Sequence, residues 1–85
     1  MDTAGRGVWI PTPGSRCVLR LRLDGRRPPF VLRVQLVGGG VYPYRCPSAR
    51  LFLAFLAAPS KGRFYGSFVR GKLVRADLDE GEDGV

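Results

Sequence analysis

The chain has no histidine, and only two of its seven carboxylates, Asp2 and Asp24, precede residue 77. It therefore lacks a general base for work near neutral pH, a carboxylate pair and a nucleophile with a partner, so catalysis is not expected. Cysteine is equally scarce. Cys17 and Cys46 are too few to build a four-ligand zinc site without histidine, and they read as two reduced, partly buried thiols rather than a disulfide. No metal and no cofactor is expected. The longest apolar run, residues 51–58, is far short of the roughly 20 residues that cross a bilayer. The opening Met-Asp-Thr-Ala-Gly-Arg fits neither a secretory signal nor a transit helix, and the protein is expected to be soluble and cytoplasmic.

Positive charge is abundant. All fourteen Lys and Arg residues lie between Arg6 and Arg75, and five of the seven acidic residues fall in the last nine positions. Residues 1–76 thus carry twelve more positive than negative charges, an imbalance that calls for an anionic partner. Twelve of the cations are arginine, which forks onto phosphate and stacks on bases as lysine does not. Eighty-five residues support one core and one domain. Residues 1–15 read as an irregular, proline-punctuated lead-in that tucks Trp9 or Ile10 against the core, and residues 77–85 as an acidic disordered tail.

Residues 17–23 alternate: Cys17, Leu19, Leu21 and Leu23 are placed inward, and Val18, Arg20 and Arg22 outward. Residues 24–29 read as a turn. Residues 30–37 repeat the pattern, with Phe30, Leu32, Val34 and Leu36 inward and Val31, Arg33 and Gln35 outward. Gly38, Gly39 and Gly40 permit a tight hairpin into a third strand over residues 41–45, and Pro43 places that strand at a sheet edge left free for dimerisation. Ser48 is positioned to cap a helix with Leu51, Phe52, Phe55 and Leu56 on one face. Pro59 ends it, and Ser60, Lys61 and Gly62 start a short second helix with an apolar stripe of Phe64, Tyr65, Phe68 and Val69. The expected fold is α+β: a three-stranded antiparallel meander covered on one face by two short helices.

Several of these segments also carry a resemblance. Leu32-Arg33-Val34-Gln35-Leu36, then Gly39-Gly40-Val41-Tyr42-Pro43-Tyr44, the helix from Leu51 to Ala58, Pro59-Ser60-Lys61-Gly62, and Arg63-Phe64-Tyr65 leading to Val69-Arg70 together resemble the KTSC domain. This is a short module found alone in bacterial and phage proteins and at the C-terminus of some lysyl-tRNA synthetases. The resemblance covers residues 32–70 and implies this α+β fold; attachment to a synthetase implies RNA binding. The chain departs from the family pattern in carrying Gly66 where asparagine is usual, lacking a tyrosine near Leu73, and placing Pro47 about a residue early.

The outward strand faces gather Arg20, Arg22, Arg33, Gln35 and Arg45, with Arg26 and Arg27 at the rim, a surface suited to phosphates. Tyr42 and Tyr44 have two placements. A two-residue loop puts both rings on this basic face to stack on bases, whereas a three-residue loop pairs Leu36 with Tyr42 and sends both into the core. Arg63, Gly66, Ser67 and Arg70 form one polar stripe on the second helix. A cation at Lys61 opposes the helix dipole, which an anion held at the amides of Ser60, Lys61 and Gly62 would explain. The expected function is non-enzymatic binding of RNA or single-stranded nucleic acid, with the acidic tail folding back to compete. The alternative is a protein-interaction module docking on an acidic protein through Trp9, Leu53 or Leu73. A membrane partner is not expected, because no helix pairs a basic face with a wide lipid-facing one.

Overall fold

β-Branched and leucine-rich alternating segments interrupted by glycine and proline fold as strands, and a computed structural model shows four of them within the described residues, 7–76. These are β1 (Ile10–Pro11), β2 (Val18–Asp24), β3 (Phe30–Leu36) and β4 (Val41–Cys46), in one antiparallel sheet of that spatial order. The meander therefore has a fourth strand. Residues 7–15, read from sequence as an irregular lead-in, join the sheet through Ile10 opposite Leu21 and Pro11 opposite Arg20. The acidic tail and its expected fold-back lie outside the described residues.

The alternation read over residues 17–23 holds only from Arg20 onward. Val18 pairs with Leu36 while Arg20 pairs with Gln35, so Leu19 is an extra residue in β2, a β-bulge. The bulge reverses the phase before it. Val18 is fully buried and Leu19 is 47% exposed, the opposite of the sequence expectation. Thr12 holds the bulge in place: its hydroxyl donates to the Val18 carbonyl (2.6 Å) and its amide to that of Leu19 (3.1 Å). Both bonds form around a buried side chain, so the lead-in is a structural part of the domain.

The β3–β4 hairpin closes with the Leu36 amide donating to the Gly40 carbonyl, leaving Val37, Gly38 and Gly39 as a three-residue loop. Gly38 has φ of 73°, a conformation that costs a side chain but not glycine. Tyr42 pairs with Val34, not with Leu36, and Tyr44 pairs with Leu32, so both rings lie on the core side. β4 is an edge, as Pro43 requires, but it is not free. The Arg45 amide donates to the Val74 carbonyl at 2.8 Å and Tyr44 bridges to Arg75, so the returning chain covers it.

The helices cover the inward face. α1 (Ala49–Ala57) buries Phe52 and Phe55, and Leu51 and Leu56 pack beside them. Ser48 occupies its N-cap position but makes no side-chain cap bond. α2 (Lys61–Phe64) is capped as expected, with Ser60 Oγ accepting from the Arg63 amide. It passes directly into a π-helical turn, Tyr65–Val69, that buries Tyr65 and Val69. Phe64 stacks on Phe55 at 4.8 Å, while Phe68 stays 55% exposed. Val18, Leu21, Leu32, Val34, Tyr44 and Cys46 from the sheet meet these side chains in a single core. Among the described residues no helix is long and apolar enough to cross a membrane.

Candidate nucleic-acid interface

The register places Arg20 and Arg22 of β2, Arg33 and Gln35 of β3, and Pro43 and Arg45 of β4 on the sheet face turned away from the helices. The expected gathering of arginines on this outer face is therefore present, and it has structure of its own. Arg20 Nε donates to Gln35 Oε1 at 2.5 Å across the strand pair. The guanidinium groups of Arg20 and Arg22 lie over the Trp9 ring, 4.3 and 5.1 Å from its centroid. Trp9 thus belongs to this face and not to the core that the sequence reading offered it. Only the register of β1, which a two-residue strand hides from periodicity, could have revealed the connection.

Asp24 is the second feature that sequence reading left as a turn residue. Thirteen of the fourteen Lys and Arg residues lie in residues 7–76, and Asp24 is the one carboxylate among those described residues. Its Oδ2 accepts from Arg33 Nε (2.9 Å) and from Arg22 Nη2 (3.0 Å), and its Oδ1 from the Gly7 amide (2.6 Å). Burial pushes its carboxyl up, but the Gly7 amide and the Arg33 and Arg22 guanidinium groups outweigh that and hold it below the ordinary carboxylate range. A depressed folded-state value means that the ionised form stabilises the fold. The stabilisation is complete above the unfolded value near pH 4 and is lost as pH falls through the folded one. Asp24→Asn is expected to cost about 2 kcal/mol at neutral pH. The difference in melting temperature from the parent should shrink on acidification below about pH 4; a difference that stayed constant to low pH would rule out this role.

Gly7 is required beside it, because a Cβ there would approach the Leu23 carbonyl oxygen to 2.1 Å. Gly7→Ala should lower the melting temperature and loosen Asp24, which the same acid titration would detect as a smaller pH dependence.

The other sequence-selected residues are dispersed. Arg26 and Arg27 are exposed in the turn after β2, at the rim. Arg63 and Arg70 do not form one stripe. The π-helical turn, in which the Arg70 amide donates to the Tyr65 carbonyl five residues back, rotates Arg70 out of line. Arg63 borders a shallow groove with Ser67 and Phe68, while Arg70 borders a different cavity with Tyr65 and Leu73. Ser60, Lys61 and Gly62 face residues 13–17 across a cleft of about 490 Å³. Lys61 Nζ donates to the Ala58 carbonyl at 2.6 Å, so the cation neutralises the end of α1 and needs no anion at the α2 amides to explain it. Tyr44 is buried, which removes it from base stacking, and Tyr42 is half-buried beneath the Arg75 guanidinium at 4.8 Å. Cys46 is buried, and burial pushes its thiol up; Cys17 is half-buried.

No protein-family model matches the chain, and no curated protein matches it. Among solved structures it is similar to a KTSC domain protein from Yersinia pestis. The TM-score is 0.70 at 28% sequence identity, covering 80% of this chain and 92% of that one. The chain is a KTSC-like domain. Within it, the Tyr42-Pro43-Tyr44 segment turns its two rings to the core side and Pro43 to the outer face. Gly66, where the resemblance leads one to expect asparagine, is exposed, and a Cβ there would meet nothing within 4 Å. This departure therefore alters no packing.

Proposed function

We propose that this KTSC-like domain binds RNA or other single-stranded nucleic acid across the outer sheet face, without catalysing a reaction. The observation that carries the reading is the Trp9 ring laid against Arg20 and Arg22, on the same face as Arg33, Gln35 and Arg45. A flat aromatic beside guanidinium groups offers bases a stacking surface and phosphates a positive track, the combination that single strands need. The excess of cations over the one described carboxylate supplies the long-range attraction. Asp24 already occupies part of Arg22 and Arg33, so strand phosphates compete with it, and binding is expected to be moderate at physiological salt. The want of a histidine and the engagement of Asp24 by donors from three residues support binding rather than turnover.

Fluorescence anisotropy of a labelled oligouridylate at about 50 and about 200 mM salt tests the proposal. A steep loss of affinity at the higher salt is expected. No binding at low salt would eliminate it in favour of the second reading, docking on an acidic protein. For that reading the favourable observation is Leu53, 59% exposed on α1, together with the groove of Ala58, Pro59, Phe64 and Phe68 edged by Arg63. Leu73, half-buried and packed against the core, is a weaker anchor than the sequence implies.

A further inference from the structure

A surface helix is normally polar on its solvent side, and α1 is not. Arg50 is the one polar side chain in its sequence, and Phe52 and Phe55 are committed to the core. Arg50, Leu53, Ala54 and Ala57, which share the opposite face by helical spacing, are all exposed, so this face is apolar beyond Arg50. A helix that is apolar all round is ordinarily covered. The same face runs on into a groove of about 300 Å³, because Ala58, one turn beyond Ala54, lines that groove together with Pro59, Phe64 and Phe68. Phe68 is 55% exposed, yet its ring lies 4.8 Å from that of Phe64, which in turn stacks on Phe55. The outward ring is therefore braced from beneath, which lowers the entropy lost when a partner settles on it.

Charge decides between the possible occupants. Arg50 stands at one end of the apolar face and Arg63 edges the groove; both are exposed, and neither has an ion-pair partner among the described residues. The one described carboxylate, Asp24, is held by Arg22 and Arg33 on the far face of the sheet. A second copy of the chain would set arginine against arginine here with no described acid between them, which disfavours a symmetric dimer. We propose that the outer face of α1 and this groove dock an acidic amphipathic helix of a protein partner. The apolar stripe of that helix lies on Leu53 and Phe68, one large side chain enters the groove, and carboxylates meet Arg50 and Arg63. Ala54 and Ala57 let the two backbones approach closely, and an aromatic and apolar centre edged by arginine has the composition of an interface. This rests on the second reading, an acidic protein partner, and gives that partner a shape. RNA on the sheet does not compete with it, because the two surfaces lie on opposite sides of the domain.

The test is a series of ¹⁵N–¹H correlation spectra of the full chain titrated with three synthetic peptides of about 18 residues, long enough to hold a helix. The first carries leucine at alternating intervals of three and four with glutamate and alanine elsewhere, the second has the same residues shuffled to abolish the stripe, and the third is polyglutamate. Saturable shifts of the Leu53, Ala57 and Phe68 amides with the first peptide alone are expected. Leu53→Ala, an exposed change that leaves the spectrum folded, should weaken them about tenfold. Equal shifts with the shuffled peptide or polyglutamate would overturn the docked helix while keeping an acidic partner held by charge, and no shift with any of the three would remove both. Unchanged affinity in Leu53→Ala would also overturn the proposal. So would shifts of these amides on diluting the protein alone, which assign the surface to a second copy, or shifts with phosphatidylglycerol vesicles but not with the first peptide, which assign it to a membrane.

Discussion

Replacing Arg20 and Arg33 together by alanine is expected to weaken oligouridylate binding about a hundredfold at low salt, and to reduce the slope of log K against log salt by about 1.4. The first figure follows from two charge-assisted phosphate contacts, each worth about tenfold, and the second from two fewer counterions released by a single strand. Neither side chain is needed by the core, since both lie on the outer face with Arg20 bonded to Gln35 and Arg33 to Asp24. The double variant should therefore remain folded by circular dichroism. A parent-like affinity and slope in a folded double variant would show that the strand binds elsewhere.

Phe55→Ala should have the largest effect on stability. Phe55 is fully buried, stacks on Phe64 and lies in the core between the sheet and both helices. Truncating a buried phenylalanine costs about 3–5 kcal/mol, through lost transfer free energy and a cavity that its neighbours fill only in part. A domain of this size commonly has only about 5 kcal/mol in total, so the variant should be largely unfolded near 37 °C. Urea denaturation followed by Trp9 fluorescence would measure this. A midpoint close to that of the parent protein would mean that α1 is not the main cover of the sheet. Leu53→Ala on the exposed side of the same helix is the internal control, expected to change stability by less than about 0.5 kcal/mol.

These two expectations draw on different depths of sequence information. Phe55 was legible because helical spacing, the flanking Ser48 and Pro59, and the one-sided apolar pattern all agree on which way it faces. The outward placement of Arg20, Arg22 and Arg33 was legible from alternation, whereas that of Arg45 depended on the hairpin loop, whose three residues set the phase of β4. Val18 and Leu19 were not, because a bulge adds one residue without a local signature and reverses the phase on one side of it. The same kind of phase error separated Arg63 from Arg70, where a π-helical turn replaces the 3.6-residue spacing that the stripe assumed.

Long-range pairing hid the remainder. β1 contributes only Ile10 and Pro11, too few residues to show any period, yet it brings Trp9 to the arginines and Thr12 to the bulge. Asp24 sat in a plausible turn, and its role became visible only once Arg22 and Arg33 were paired opposite each other and Gly7 was laid alongside. Lys61 looked like an unexplained cation at a helix start because the carbonyl it serves belongs to the preceding helix. In each case the residue type was informative, and its partner was fixed by tertiary structure.

Trp9 is the chain's single tryptophan and lies against the arginines proposed to hold the strand, so its emission reports on that surface directly. Titrating unlabelled oligouridylate at low salt should quench Trp9 fluorescence with the same midpoint as the anisotropy curve, and added salt should reverse the quenching. Saturating anisotropy with unchanged Trp9 emission would place bound RNA away from the outer sheet face and contradict the account.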